Sequence, residues 1–327
     1  MASVLQQYHQ LADRMATQIT GSYQSWTDFL TTAARLYKYP YHEQLMIYAQ
    51  RPEATACADY ELWNKRMGRY VRRGAKGIAL IDHSGDTPKL KYVFDVADTR
   101  TTERSRSPYL WEFRPEHEQV VSDSLELQYD IRYPGSFSDL LEQISSVKVT
   151  EYFLAHQQDI LDIVDGSYLE QYHDYDKGVA FLNAATVSTT YMLLSRCGLA
   201  ENAHFGLEDF MPVFDFNTPQ TVDALGSAIS GISEEILRNI EVTIKKADMQ
   251  TLSAHPHPDG GFAGMTVLTD NLLERENAGA ALMEAAKQAT GLDPVEIGTY
   301  RGFAMSVTLE NFGKKFVLTM QGKLRYQ

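Results

Sequence analysis

The sequence predicts an α+β protein, and two observations on its 327 residues support that class. Apolar residues recur at helical spacing along most of the chain, whereas regions near residues 77–96 and 295–320 alternate between apolar and polar residues as strands do. Hydrophobic residues make up 44% of the chain and charged residues 22%, so it can bury a core, and intrinsic disorder is excluded.

The N-terminal region is predicted to place helices before a β-hairpin. Periodicity and stop signals predict four helices. The first covers residues 3–19, the second begins near Ser25, which has capping-box spacing to Asp28, the third covers residues 43–50 and a short fourth follows Asp59. Beyond Gly74, β-like runs at 77–81 and 90–96 flank a turn-rich segment and predict the hairpin. Farther along, Thr218 and Pro219 predict the start of a long helix, and a helix over 269–288 precedes the last strands.

Charge divides the chain into three regions. The formal net charge of −13 argues by itself against a polyanionic partner. Residues 1–110, however, carry +4, residues 111–254 carry −16 and residues 255–327 carry −1. A polar run at residues 98–108 and turn residues at 255–261 mark the two changes of charge. The sequence therefore predicts an N-terminal domain (1–110), a mainly helical middle domain (111–254) and a small α+β unit (255–327).

Several features predict a cytoplasmic protein without a membrane partner. The N-terminus lacks the basic and apolar regions of a signal peptide, and no apolar stretch approaches the ~18–20 residues of a membrane span. Cys57 and Cys197 are the only cysteines and form no CxxC motif, so neither a disulfide framework nor a cysteine metal site is expected.

A basic patch interrupts this acidic chain. Six basic residues fall within twelve positions with no acid between them: Lys65, Arg66, Arg69, Arg72, Arg73 and Lys76. Such residues neutralise backbone phosphates, and Arg grips them bidentately. Trp63 lies beside the patch, and Tyr39 and Tyr41 flank Pro40 in an irregular segment that we expect to be exposed, so all three are candidates for base stacking. The alternative is a solvated basic turn that pairs with the acidic middle domain.

The same region resembles the N-terminal domain of ArdC-type antirestriction proteins. The resemblance covers residues 20–98 and is carried by an ordered series of motifs: Trp26-x-x-Phe29-Leu30, Gln50-x-Pro52, Trp63 and Gly68-x-x-Val71-x-x-Gly74-x-Lys76-Gly77-Ile78. In that family this domain is associated with single-stranded DNA binding, so the resemblance implies that function for the basic patch.

ArdC-type proteins also carry a zincin-like metallopeptidase domain, and the middle region resembles a degenerate form of it. The chain contains no HExxH; His42-Glu43-Gln44-Leu45-Met46 comes nearest and is read as coincidence. Residues 185–199 resemble the later helix that supplies the third zinc ligand in the family, and Val187 stands where its Glu is expected. The isolated histidines (His117, His156, His173 and His204) have no ligand spacing. The resemblance therefore implies a scaffold without metal, cofactor or catalytic residues.

The end of the chain gives a third resemblance. Residues 296–303 resemble a segment of large helicase- and methylase-bearing proteins of conjugative elements and phages, which also begin with ArdC-like domains. The chain itself contains no GxxxxGK[ST] or NPPY-type motif. We therefore expect a fragment or a free-standing remnant of such a protein.

Together these observations favour a non-catalytic, single-stranded DNA-binding accessory protein of a mobile element. Two alternatives stay open. The acidic middle domain could act as a DNA mimic or interaction module that occupies a restriction, transfer or host protein, or the chain could be a zinc metallopeptidase-like protein.

Overall fold

Three α-helices lead the chain, as its periodicity predicts. The computed structural model describes residues 3–85, 87–132, 135–201, 203, 205–254, 306–311, 314–319 and 325–326. The helices are α1 (Val4–Ile19), α2 (Tyr23–Arg35) and α3 (Tyr41–Gln50). Ser22, not Ser25, caps α2, because the Ser22 side chain accepts a hydrogen bond from the Ser25 N–H. The short helix expected after Asp59 is a five-residue π-helix, Leu62–Arg66.

Two small antiparallel sheets accompany these helices. Their strands are β1 (Cys57–Asp59), β2 (Tyr70–Val71), β3 (Ile78–Asp82), β4 (Lys89–Asp95) and β5 (Thr99–Arg100). One sheet has the order β1-β4-β3, and β2 pairs with β5 in the other. The predicted hairpin is confirmed, with Ile78 opposite Val93 and Asp82 opposite Lys89. Four consecutive residues of β3 are buried, which places this apolar strand against the helices.

The middle of the chain is helical, and the α+β class is confirmed. Its helices are α4 (Glu118–Tyr129), α5 (Phe137–Asp162), α6 (Asp174–Arg196) and α7 (Pro219–Ala254). As predicted, α7 begins at Pro219, and the Thr221 N–H donates to Thr218 Oγ1 at 3.3 Å. No helix in the described ranges is both long enough and apolar enough to span a membrane.

The predicted boundary at residue 110 does not separate two packed domains. Residues 1–243 form one compact unit. Within it, the Trp26 indole N–H donates to Ser188 Oγ at 2.9 Å in the buried interior, so α2 is bonded to α6. The Trp111 indole likewise donates to the Tyr37 hydroxyl at 3.1 Å. The change of net charge at residue 110 is a surface property, whereas the apolar faces of both regions pack into one core.

The second compact unit comprises residues 244–327. The division between the units therefore falls within α7, slightly before the predicted boundary at residue 254. Its described strands are β6 (Ser306–Asn311), β7 (Lys314–Thr319) and β8 (Arg325–Tyr326), which pair antiparallel in that order. The predicted strands around residues 311–315 are thus confirmed as a hairpin. The helix predicted over 269–288 and the motif at 296–303 lie outside the described residues.

Candidate nucleic-acid interface

The π-helix that carries the start of the basic patch is fixed by two side chains. Asp59 Oδ1 accepts a hydrogen bond from the Leu62 N–H at 2.6 Å at its beginning. Trp63 is buried, and its indole N–H donates to the Phe94 carbonyl at 2.8 Å, which ties the π-helix to β4. Lys65 and Arg66 then project from the last turn and are exposed.

A glycine turn carries the chain from the π-helix into β2. Gly68 adopts φ of +60°, a left-handed conformation that other residues rarely take. The Arg69 N–H donates to the Trp63 carbonyl at 2.8 Å, and its Nε donates to Thr99 Oγ1 at 2.9 Å. Arg69 is therefore half-buried and oriented, whereas Arg72, Arg73 and Lys76 beyond it are exposed.

The polar run at residues 98–108, which was predicted to mark a domain boundary, closes over this turn. Tyr70 pairs with Arg100 through β2 and β5, the Ser105 hydroxyl donates to the Gly68 carbonyl at 2.6 Å, and the Arg106 N–H donates to the Met67 carbonyl at 2.8 Å. Three exposed arginines join the six predicted residues as a result. We call the nine the basic surface: Lys65, Arg66, Arg69, Arg72, Arg73, Lys76, Arg100, Arg104 and Arg106.

Most of the basic surface carries no neutralising partner. Lys65 pairs with Glu61 at 2.8 Å, and this hydrogen bond raises the Lys65 pKa. In the part of the chain that the structure describes, the other eight form no ion pair with a carboxylate, including the carboxylates of residues 111–243. The expected alternative, pairing with the acidic middle region, is therefore not seen among the described residues.

The three aromatic residues predicted to stack on bases are not exposed. Trp63 is 2% exposed and holds the π-helix. Tyr41 is 3% exposed because its ring lies against Gly226 of α7, where a Cβ would come within 2.2 Å of it. Tyr39 is half-buried and its hydroxyl donates to the Cys57 carbonyl at 2.7 Å. Pro40 itself is exposed, but the two tyrosine side chains that flank it pack inward, so the expectation that they are exposed was wrong.

Other aromatic residues lie beside the basic surface: Tyr60 and Tyr92 are exposed, and Phe94 is half-buried. Tyr92 and Phe94 lie on one face of β4, next to Gly77, where a Cβ would come within 3.2 Å of both side chains. Tyr60 is 60% exposed, and its ring centroid lies 6.5 Å from that of Phe94. We call Tyr60, Tyr92 and Phe94 the aromatic strip. Two signals in the sequence could have located the aromatic strip: the alternation of side chains between the two faces of β4, and the absence of a side chain at Gly77.

A buried polar node holds these strands in place. Asp95 accepts hydrogen bonds from the N–H groups of Thr55, Ala56 and Ala97 at 2.8–3.0 Å. Arg51 forms an ion pair with Asp98, just before β5. The hydrogen bond to Asp98 raises the pKa of Arg51 more than burial lowers it. The motif residues around Pro52 therefore support β4 and β5 and do not themselves form the surface.

In the middle region, Val187 lies on the wall of a cleft of about 680 Å³. The same cleft is lined by the carboxylates of Asp139, Glu142, Glu208 and Asp209. Among the described residues, no group of three or more His, Cys, Asp and Glu side chains is arranged to hold a metal ion. His204, one of the isolated histidines, lies outside the described residues.

Comparison with protein-family models, with curated proteins and with solved structures finds no match for this chain. The functional assignment therefore depends on the site itself.

Proposed function

We propose that the protein is a non-catalytic, single-stranded DNA-binding accessory protein of a mobile genetic element, similar in role to ArdC-type antirestriction proteins. The observation that carries the proposal is the position of the basic surface beside the aromatic strip. Single-strand binders combine a positive groove that follows the backbone with aromatic faces on which unpaired bases stack. Eight basic groups that form no ion pair within the described residues, together with two largely exposed tyrosines, supply both parts in one region.

Geometry favours a single strand over a duplex. Tyr92 and Phe94 project from a sheet face, as the stacking residues of sheet-based single-strand binders do, and a base can reach such a face only when it is unpaired. The basic surface is built from a π-helix turn and two short strands, so no long helix is available there to enter a major groove.

Fluorescence anisotropy with labelled single-stranded DNA tests the proposal. The test variant changes Arg66, Arg72 and Arg73 to Ala, since these side chains are exposed and make no described structural contact. The control variant removes the same charge at Arg14, Arg132 and Arg238, which lie outside the basic surface. Weaker binding by the test variant alone is expected, and equal affinity of all three proteins rules the proposal out. Duplex DNA and RNA of the same sequence measure the preference for single-stranded DNA.

A second candidate function rests on an exposed segment of the middle region. Tyr168, Tyr172 and Tyr175 are 65%, 41% and 81% exposed and alternate with the acids Glu170, Asp174 and Asp176. Tyrosines are enriched in protein interfaces, and the acids complement a basic partner. This favours an interaction module or DNA mimic that occupies a DNA-binding protein. Inhibition of a restriction nuclease by the protein without any DNA binding of its own would support this function over the first.

The third alternative, a zinc metallopeptidase-like protein, makes a separate prediction. Purified protein would then contain stoichiometric zinc, and its removal would abolish peptide hydrolysis. Val187 at the cleft wall offers no ligand for such an ion.

A further inference from the structure

A second pocket, of about 320 Å³, opens between α1, α3, the end of β3 and the start of α7. None of the basic-surface residues lines it. Its floor is apolar and includes the buried side chains of Met46 and Ile81. An apolar floor with a few convergent polar groups, in a pocket of this volume, is the usual form of a small-ligand site.

Three imidazoles stand around this pocket. The His83 ring centroid lies 6.2 Å from that of His9 and 6.2 Å from that of His42, with interplanar angles of 60° and 80°. Burial lowers the pKa of His42, and the nearby His83 lowers it further although Glu43 raises it. The His42 imidazole is therefore neutral at pH 7 and gives the pocket a flat ring surface without positive charge.

The Tyr41 side chain, which lines the pocket, carries a buried hydroxyl without a partner. Tyr41 is 3% exposed, and its hydroxyl makes no hydrogen bond. An unsatisfied buried hydroxyl is unusual and destabilising. Asp223 is its electrostatic neighbour, since burial and the Asp223 charge together raise the Tyr41 pKa. Burial also raises the pKa of Asp223, although its side chain reaches solvent at the pocket.

These groups select a particular ligand chemistry. Two carboxylates, Asp13 and Asp223, line the pocket, so a phosphate or another anion is repelled from its interior. Carboxylate oxygens accept hydrogen bonds, so they favour a ligand that presents N–H or O–H donors. The apolar floor and the imidazole faces favour a flat ring. A planar, nitrogen-rich heterocycle with N–H groups on one edge meets all three requirements.

We propose that this pocket binds an amino-bearing nucleobase with its N–H edge on the Asp223 carboxylate. Guanine fits best, because its ring N–H and amino group can donate side by side to one carboxylate. Adenine and cytosine present an amino group alone. Uracil and thymine flank their ring N–H with carbonyl oxygens, which the carboxylate repels. The base comes either from a free nucleoside or from a DNA strand, and in both cases the sugar and phosphate remain outside the pocket.

The proposal does not depend on the basic surface, so the two assignments can fail separately. Saturation-transfer NMR and calorimetry with guanosine, adenosine, cytidine and uridine test the pocket directly. Asp223→Asn is the test variant, and Asp159→Asn, at an exposed position of α5 that does not line the pocket, is the matched control. Short oligonucleotides that carry a single guanine or a single uracil show whether a strand can supply the base.

We expect guanosine to bind most tightly and uridine most weakly. Asp223→Asn should weaken guanosine binding about tenfold or more, the loss typical of a hydrogen bond to a charged acceptor. Binding of only the guanine oligonucleotide, with the same Asp223 dependence, would identify the strand as the source.

Three results would overturn the proposal. In the first, neither the nucleosides nor the oligonucleotides show any binding that Asp223→Asn weakens. The second is equal binding of all four nucleosides by the wild type and Asp223→Asn. The third is stoichiometric zinc or nickel binding that is lost in His83→Ala, which would reassign the three imidazoles to a metal.

Discussion

The Arg100 guanidinium carbon lies 5.9 Å from the centroid of the Tyr70 ring, across the β2–β5 pair in which the two residues are direct partners. A cation held near an aromatic ring at this distance is attracted by the ring's electron density. The pair joins two segments that are thirty positions apart in the sequence. It also places a positive group and a 44%-exposed aromatic ring at the same point of the basic surface.

The three arginines that the structure adds to the basic surface should contribute to DNA binding. Changing Arg100, Arg104 and Arg106 to Ala should weaken single-stranded DNA binding and reduce the slope of log K against log salt concentration by about 2, since each phosphate contact contributes about 0.7. Anisotropy titrations at several salt concentrations measure the slope. An unchanged slope would show that the 99–106 segment makes no phosphate contact.

Exposed and buried aromatics should respond differently to substitution. Tyr92→Ala should weaken single-stranded DNA binding by about 1–3 kcal/mol, the typical contribution of one stacked base, with little change in Tm. Trp63→Ala should instead destabilise the fold by about 3–5 kcal/mol, because it removes a buried indole and its hydrogen bond to Phe94. Denaturant unfolding and anisotropy separate the effects. If Trp63→Ala instead lost DNA binding without losing stability, Trp63 would have to contact DNA directly.

The Trp26–Ser188 hydrogen bond provides a test of the single core. Trp26 is fully buried, so Ser188→Ala leaves its indole N–H unpaired and should cost about 1–3 kcal/mol of unfolding free energy. Ser146→Ala, at an exposed position of α5, is the control. Residues 1–243 should unfold in one transition by circular dichroism and tryptophan fluorescence. Two separate transitions would restore the boundary near residue 110.

Stability should also depend on the ionisation of Glu241. Its carboxylate accepts hydrogen bonds from the Tyr37 hydroxyl at 2.5 Å and the Lys38 ammonium at 2.8 Å. Burial raises the pKa of Glu241, but the hydrogen bonds from Lys38 and Tyr37 and the charges of Lys38 and Arg238 lower it below its ordinary value of 4.5. A pKa that is lower in the folded state means that ionised Glu241 stabilises the fold above the unfolded pKa, and this stability is lost as pH falls through the folded pKa.

The destabilisation caused by Glu241→Gln should therefore be larger at pH 7 than at about pH 3. Urea unfolding across this range measures the difference, with Glu201→Gln as the control because Glu201 is exposed. A difference that does not change with pH would show that the Glu241 charge contributes nothing to stability.

Elements governed by local patterns were predicted well. The apolar period of residues 3–19 gave α1, the alternation around a turn-rich segment gave the β3–β4 hairpin, and Thr218 with Pro219 gave the start of α7. Each depends on interactions between residues close in sequence, such as capping, turn geometry and side-chain period. The six residues of the predicted basic patch were also visible, because charge density needs no knowledge of the fold.

Exposure was predicted poorly where distant segments decide it. Tyr41 is buried because Gly226, far along the chain, leaves room for its ring. Trp63 is buried because the Phe94 carbonyl accepts its indole N–H. Arg104 and Arg106 were assigned to the polar run at a domain boundary, because nothing local shows that their backbone returns to Met67 and Gly68. Such contacts have no signature within a window of neighbouring residues.

The sequence by itself determined the helices, the hairpin and the presence of a cationic patch in an acidic chain. Only the tertiary structure decided that residues 1–243 share one core, which aromatic rings stand beside the patch, and how many arginines belong to it. The physical reason is that composition and period fix what each segment buries or exposes on average. Packing between distant segments decides which partner covers a given side chain. Tyr37 and Glu241, about two hundred residues apart, are such a pair.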